Sequence, residues 1–341
     1  MRYPRIAPEV LTEEQSARAA RLLWGVMTTE PQASGYSLIY ERFPYYLGQG
    51  ERERRRPLVD EMLGLPAGAT GPRAILRHDC DDALDLDRWA EWEADRGIQS
   101  VTLLRAPVPA DGTRPEYLVA PPNYDVEEDR IGRFVEEGRA RGSEFGLHYS
   151  SPHPTVVRAE LARLRAATGL APPLPASAHY LQSSGATVRA LDGLGVSHDF
   201  SFMDFASYAG RAIPPGVPAH PGFPTGTTHA HLMWDPVEGR WLRLVAVPGA
   251  LEEEFVAGRC PTAPRDEDIG AYLDLFAEHK GVLVLNWHTD RWELVPLLEA
   301  LVEELRRRGF TFITTADLRP QPAPESGRGE VADPRVGAPA V

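Results

Sequence analysis

A parallel α/β fold, closed or nearly closed into a barrel, is what this sequence predicts. Two observations carry the expectation. About seven strand-like runs are each followed by a stretch with helical spacing, and polar residues gather where those strands end. The alternation is confined to residues 71–318, between an N-terminal extension, 1–70, and a tail, 319–341. An open, doubly wound sheet is the competing architecture.

In chain order, residues 74–78 form a short apolar run and 84–95 a helical stretch, and 100–105 reads as the next strand. Ile131, Phe134 and Val135 give 127–141 a helical spacing, and 144–149 is a strand. Val157, Leu161 and Leu164 mark a helix. Residues 178–181 are expected to form another strand, with Val188 and Leu191 on the helix after it. Residues 243–247 and 281–287 are strongly strand-like. Leu294, Leu297, Leu298, Leu301 and Leu305 lie on one face of the clearest amphipathic helix, and 311–314 closes the series.

The extension opens with a capping-box pattern, Thr12 and Gln15, ahead of a helix reaching Met27. Tyr36, Tyr40, Phe43, Tyr45 and Tyr46 follow, and then a charge run at 51–56 that reads as a solvated face or linker. The tail is rich in Pro, Ala, Gly and Glu and is expected to be disordered.

A length of 341 residues suits one barrel with extensions, and a 43% hydrophobic share is enough for a full core. A net charge of −13 argues against nucleic acid or an anionic membrane as partner. No apolar run is long enough to span a bilayer, and no secretory h-region is visible, so the expected location is the cytoplasm. Two cysteines, Cys80 and Cys260, cannot build a disulfide framework or a thiolate zinc site. A bound metal must rest on His and carboxylate.

Active sites of parallel α/β folds lie at the C-terminal strand ends. Three of those ends are polar here: Arg77-His78-Asp79-Cys80-Asp81-Asp82, then His148 through His153, then Asn286-Trp287-His288-Thr289-Asp290. Asp79 and Asp81 point the same way from an extended segment, whereas Cys80 points into packing and is a poor nucleophile. Carboxylates crowded together at a strand end invite a divalent cation. His148 and His153 flank a Ser-Ser-Pro turn that can bring both rings onto one ion. For any single segment a hydrogen-bonded structural role, or an acidic helix N-terminus, is the ordinary alternative. All three together favour a metal site.

The motifs Arg-His-Asp-x-Asp-Asp, Glu-Phe-Gly-Leu-His-Tyr, His-Tyr-Leu, His-Asp-Phe-Ser and Leu-Asn-Trp-His resemble those of the polysaccharide deacetylases, carbohydrate esterase family four, over 74–315. The resemblance is to the branch with a His-Asp-x-Asp first motif. It implies a distorted (β/α)7 barrel and a zinc-dependent removal of an N-acetyl group from an amino sugar or saccharide intermediate. Asp79 would be the general base, His288 the general acid, and Asp81, His148 and His153 the metal ligands. His179, Asp199, Trp287 and Asp290 would contact substrate, and the loop 221–227 matches a substrate-side loop. Two departures stand out. His148 and His153 are one residue further apart than the family's pair. The motif arginine that orients the base is Ser177 here, which leaves His179 or Arg77 to replace it. A hydrolase of a non-sugar amide or cyclic imide, and a carbohydrate-binding pseudoenzyme, are the rival readings.

Overall fold

The computed structural model describes residues 71–318, apart from scattered positions and chiefly 109–121, 202–229, 236–239 and 258–268. The N-terminal extension, the tail, the loop 221–227 and Cys260 lie outside the described residues.

The chain forms a distorted β/α barrel. Its strands are β1 (Arg73–Cys80), β2 (Ser100–Leu104), β3 (Glu144–Tyr149), β4 (Leu174–Ala178), β5 (Val196–Asp199), β6 (His231–Asp235), β7 (Arg240–Ala246), β8 (Ala250–Glu252), β9 (Val282–Asn286) and β10 (Thr311–Phe312). The helices are α1 (Leu86–Arg96), α2 (Asp129–Ala140), α3 (Pro154–Thr168), α4 (Gly185–Gly193), α5 (Glu253–Val256) and α6 (Val295–Arg307). The strand order is β6-β7-β5-β4-β3-β2-β1-β9-β8, parallel throughout except for the β6–β7 pair. Among the described residues β6 and β8 are edges, so the ring is not sealed by a ladder between them. β10 pairs with Arg73 and Ala74 of β1, on the side that β2 leaves open below Leu76.

Alternation along the strands sorts the side chains into an outer and an inner set. On β1, Ala74, Leu76 and Cys80 pack outward against helices, while Ile75 points inward. On β9, Leu283 and Leu285 join the outer core with Trp89, Leu298 and Leu305, and Val282 and Val284 face in. The inner cluster of Ile75, Val101, Leu103, Phe200, Val245, Val284 and Leu318 fills the barrel. Each such buried side chain is worth about 1.5–3 kcal/mol. Above this apolar plug the inward positions turn polar, with Arg77, Asp79, His148 and Asn286 all buried.

Local signals set the element ends. Gly97 and Gly169 take left-handed conformations that terminate α1 and α3, and Pro154 opens α3 at its first turn. Gly146 on β3 admits a close approach: a Cβ there would sit 1.9 Å from the Pro175 carbonyl oxygen. Only glycine lets β3 and β4 meet in this register.

Most of the expected elements are present, and β3 has the expected bounds. The strand expected at 178–181 instead ends at Ala178. Its sequence, Leu-Pro-Ala-Ser-Ala, is masked by proline and small residues that lack strand character. The short strands β5, β6 and β8 were not foreseen either.

Candidate metal centre and its flanking acid and base

Three ligand atoms converge at the strand ends. His148 Nε2 lies 3.0 Å from His179 Nδ1 and 3.4 Å from Asp81 Oδ1, and His179 Nδ1 lies 3.0 Å from the same carboxylate oxygen. Donors held about 2.0–2.1 Å from one ion in a tetrahedral arrangement are about 3.3 Å apart, so the triangle has the right size for a small divalent cation. The tautomer fits as well. His148 Nδ1 donates to the Ser177 carbonyl at 3.2 Å, which leaves Nε2 with its lone pair toward the centre. The ladder places these rings side by side, because His148 pairs with Ser177 and Tyr149 with Ala178, and His179 follows directly.

Asp81 is held as an anion. Burial opposes its charge, but the His148 and His179 rings beside it outweigh burial and push its pKa well below the usual range. Burial lowers the His179 pKa despite Asp81, favouring the neutral imidazole that ligation requires.

His153 does not join this group. It is the N-cap of α3, partly exposed, with its Nδ1 2.7 Å from Thr155 Oγ1. The added residue and Pro154 start the helix at this point and turn the ring away. Among the described residues the three-residue group that could hold a metal is Asp81, His148 and His179, so His179, expected to contact substrate, stands where His153 was expected.

Asp79 lies beside the group, 3% exposed. Its Oδ2 accepts a 2.7 Å bond from Arg77 Nη2, and its buried Oδ1 has no hydrogen-bond partner. Burial raises its pKa, but Arg77, His148 and His288 outweigh it, so the group stays ionised. Arg77 is the arginine that holds Asp79. All three of its nitrogens are engaged, with Asn286 Oδ1 at 3.1 Å, the Phe200 carbonyl at 3.1 Å and Asp79.

His288 faces the same space from beyond β9, its Nε2 3.8 Å from Asp81 Oδ2. Its Nδ1 meets Glu253 Oε1 at 2.5 Å. Burial works against the imidazolium, yet the Glu253 carboxylate, with Asp79 and Asp81, holds the pKa well above the ordinary histidine value. The ends of β1 and β9 are stitched together, with the Trp287 N–H donating to the Arg77 carbonyl at 2.8 Å and Thr289 Oγ1 to the Asp82 carbonyl at 2.5 Å.

Two other expected contacts are placed in the core. Trp287 is fully buried on the outer face of β9 among the helix-packing residues, as alternation with Asn286 requires. Asp199 is fully buried too, its Oδ1 accepting from the Ser201 N–H at 3.0 Å and the Ser201 hydroxyl at 2.5 Å. Burial pushes its carboxyl up to about 6. Neither has surface to offer a substrate. Asp290 is partly exposed and pairs with Arg291 at 3.0 Å. Cys80 is buried in the outer core, and burial pushes its thiol up to about 12, so it is no nucleophile.

Two residues at the site escaped the sequence reading. Glu253 lies in a run of three glutamates with nothing to single it out. Arg105 closes the expected strand 100–105, and the strand-end rule that selected Asp79, His148 and His288 would have selected it as well.

No family model and no curated protein matches the chain. Solved structures with a similar course of chain include the chitin deacetylase of Colletotrichum lindemuthianum (13% identity, 73% of this chain, 88% of that one, TM-score 0.42). A peptidoglycan N-acetylglucosamine deacetylase matches at 10% identity over 73% of this chain and 90% of that one, TM-score 0.39. A mutant of a CE4-family pseudoenzyme with restored enzymatic activity matches at 11% identity over 73% and 68%, TM-score 0.40. The likeness concerns the fold.

Proposed function

We propose that this protein is a divalent-metal-dependent amide hydrolase of the polysaccharide deacetylase type, which removes the N-acetyl group from an amino sugar or saccharide intermediate. The observation that carries the reading is the converging triangle of Asp81, His148 and His179, flanked by a bare carboxylate oxygen on Asp79 and by a glutamate-backed imidazole on His288.

Two imidazoles and one carboxylate are a donor set suited to zinc, with room for water and substrate. When bound, the ion supplies Lewis acidity that polarises the amide carbonyl and acidifies water. The rest falls to the chain's own side chains. Asp79, fixed by Arg77, takes the proton of the attacking water on its unpartnered Oδ1. His288, kept protonated by Glu253, gives a proton from Nε2 to the departing nitrogen, which leaves poorly as an anion. Arg77 acts only through Asp79.

Paired variants test the reading with bound metal and acetate release measured side by side. Asp79→Asn is expected to keep its metal and lose roughly 10²–10⁴-fold in turnover, the usual contribution of a general base. Asp81→Asn and His179→Ala are expected to lose metal and turnover together, and His153→Ala neither. Full metal occupancy in His179→Ala, with loss in His153→Ala, would restore the ligand set expected from sequence. A metal-free protein with full activity would sink the proposal.

A further inference from the structure

Two arginines are buried at the strand ends, and they are not alike. Arg77 spends every nitrogen on a partner. Arg105, 4% exposed just after β2, makes no hydrogen bond through its guanidinium among the described residues. Its Nε is buried without a partner, and its Nη1 stands 3.9 Å from Asp81 Oδ1, the nearest carboxylate oxygen. The backbone N–H of Arg105 is tied to the Tyr124 hydroxyl at 2.8 Å, so the strand end itself is held.

A buried guanidinium without bonded acceptors is costly unless an anion completes it. Among the described residues the chain does not supply one here. Asp81 is shared with His148 and His179 and belongs to the metal-holding triangle. Glu160, the other carboxyl near Arg105, has both oxygens bonded to Ser150, through its N–H and its hydroxyl. Burial pushes Glu160 up to about 7, so its negative charge is incomplete at neutral pH. With a divalent ion on Asp81, positive charge around Arg105 is in excess, and its planar fork of donors matches a carboxylate or phosphate.

We propose that Arg105 holds a carboxylate or phosphate carried by the substrate close to the bond that is cut, so that the site takes acidic N-acyl compounds ahead of neutral ones. This deepens the deacetylase reading and rests on it for the bond cleaved, though not for the binding.

Calorimetry on the zinc-loaded full chain tests it with two pairs of probes. One pair is N-acetylglucosamine and its 6-phosphate, and the other is N-acetylglycinamide and N-acetylglycine. The anionic member of at least one pair is expected to bind roughly tenfold to hundredfold more tightly, as a charge-assisted hydrogen bond supplies. The pair that shows it tells whether the anion comes with a sugar phosphate or an amino acid. Arg105→Gln is expected to abolish the preference, and Arg105→Lys, which keeps the charge without the fork, to retain a smaller one. Equal affinities within both pairs, or a preference undiminished in either folded variant, would overturn the proposal. Hydrolysis of the neutral sugar with no anionic preference would remove this inference and leave the deacetylase reading. Arg105-dependent anion binding without hydrolysis of any probe would do the reverse.

Discussion

His78 and His288 stand at the ends of neighbouring strands, and each is bonded to a buried glutamate, yet the two pairs do opposite things. His78 points outward from β1. Its Nε2 meets Glu93 Oε1 at 2.9 Å and its Nδ1 the Trp287 carbonyl at 2.8 Å. Both ring nitrogens are therefore occupied by protein partners. The other Glu93 oxygen takes the Ser100 hydroxyl at 2.9 Å, and the Trp89 ring packs 4.6 Å from the imidazole. Nothing is left over to exchange a proton. His288 spends only Nδ1 on Glu253, keeps Nε2 toward Asp81, and is 26% exposed where His78 is 1%. A buried histidine–glutamate pair is thus a closed clamp, or keeps a nitrogen available for proton transfer, according to what its second nitrogen faces.

Substitutions can break this contrast. The largest effect is expected for His288→Ala: turnover falls roughly 10²–10⁴-fold while bound metal barely moves. His78→Ala should instead spare the turnover of folded protein and lower its stability. It leaves a buried Glu93 oxygen without its partner and is expected to cost about 1–3 kcal/mol in denaturant unfolding. The double change His78→Leu with Glu93→Met removes both polar partners and is expected to recover part of the loss. If His78→Ala were as stable as wild type but inactive, the two pairs would not differ as described.

The smallest effect sharpens the acid rather than removing it. Glu253→Gln takes away the carboxylate that raises the His288 pKa, so the alkaline limb of the pH–rate profile should move toward neutrality. The sign is fixed by linkage. With its folded pKa raised, His288 stabilises the fold fully below its unfolded value, and that contribution is lost as pH rises through the folded one. An unshifted limb would mean that Glu253 does not set the proton on His288.

Periodicity made β1, β3 and β9 legible, and with them Asp79, Asp81, His148 and His288, because long apolar runs ending in polar residues announce buried parallel strands. The third member of the candidate group was not foreseen for a local reason. Proximity in sequence favoured His153, but it caps a proline-started helix, and the residue after the neighbouring strand, His179, comes in through a ladder that no single-chain spacing records. The family resemblance is what makes Trp287 and Asp199 expected contacts, although strand alternation already sends Trp287 to the opposite face. Glu253 comes from a three-residue strand and a one-turn helix, too short to leave a periodic trace.

The contact of Gly146 with the Pro175 backbone bears on how the site fails under heat. Gly146 meets the Pro175 backbone and its rigid ring there, so the spacing of β3 and β4 cannot relax by rotamer changes; it gives way only when the ladder itself ruptures. His148 rides on β3, and His179 directly follows β4. Local breathing is therefore a poor route to ion loss, and metal release on a temperature ramp should coincide with the collapse of β-sheet circular dichroism. Release well below that transition would show the two strands parting before the barrel melts. In Gly146→Ala the two events should stay together and shift down in temperature as one.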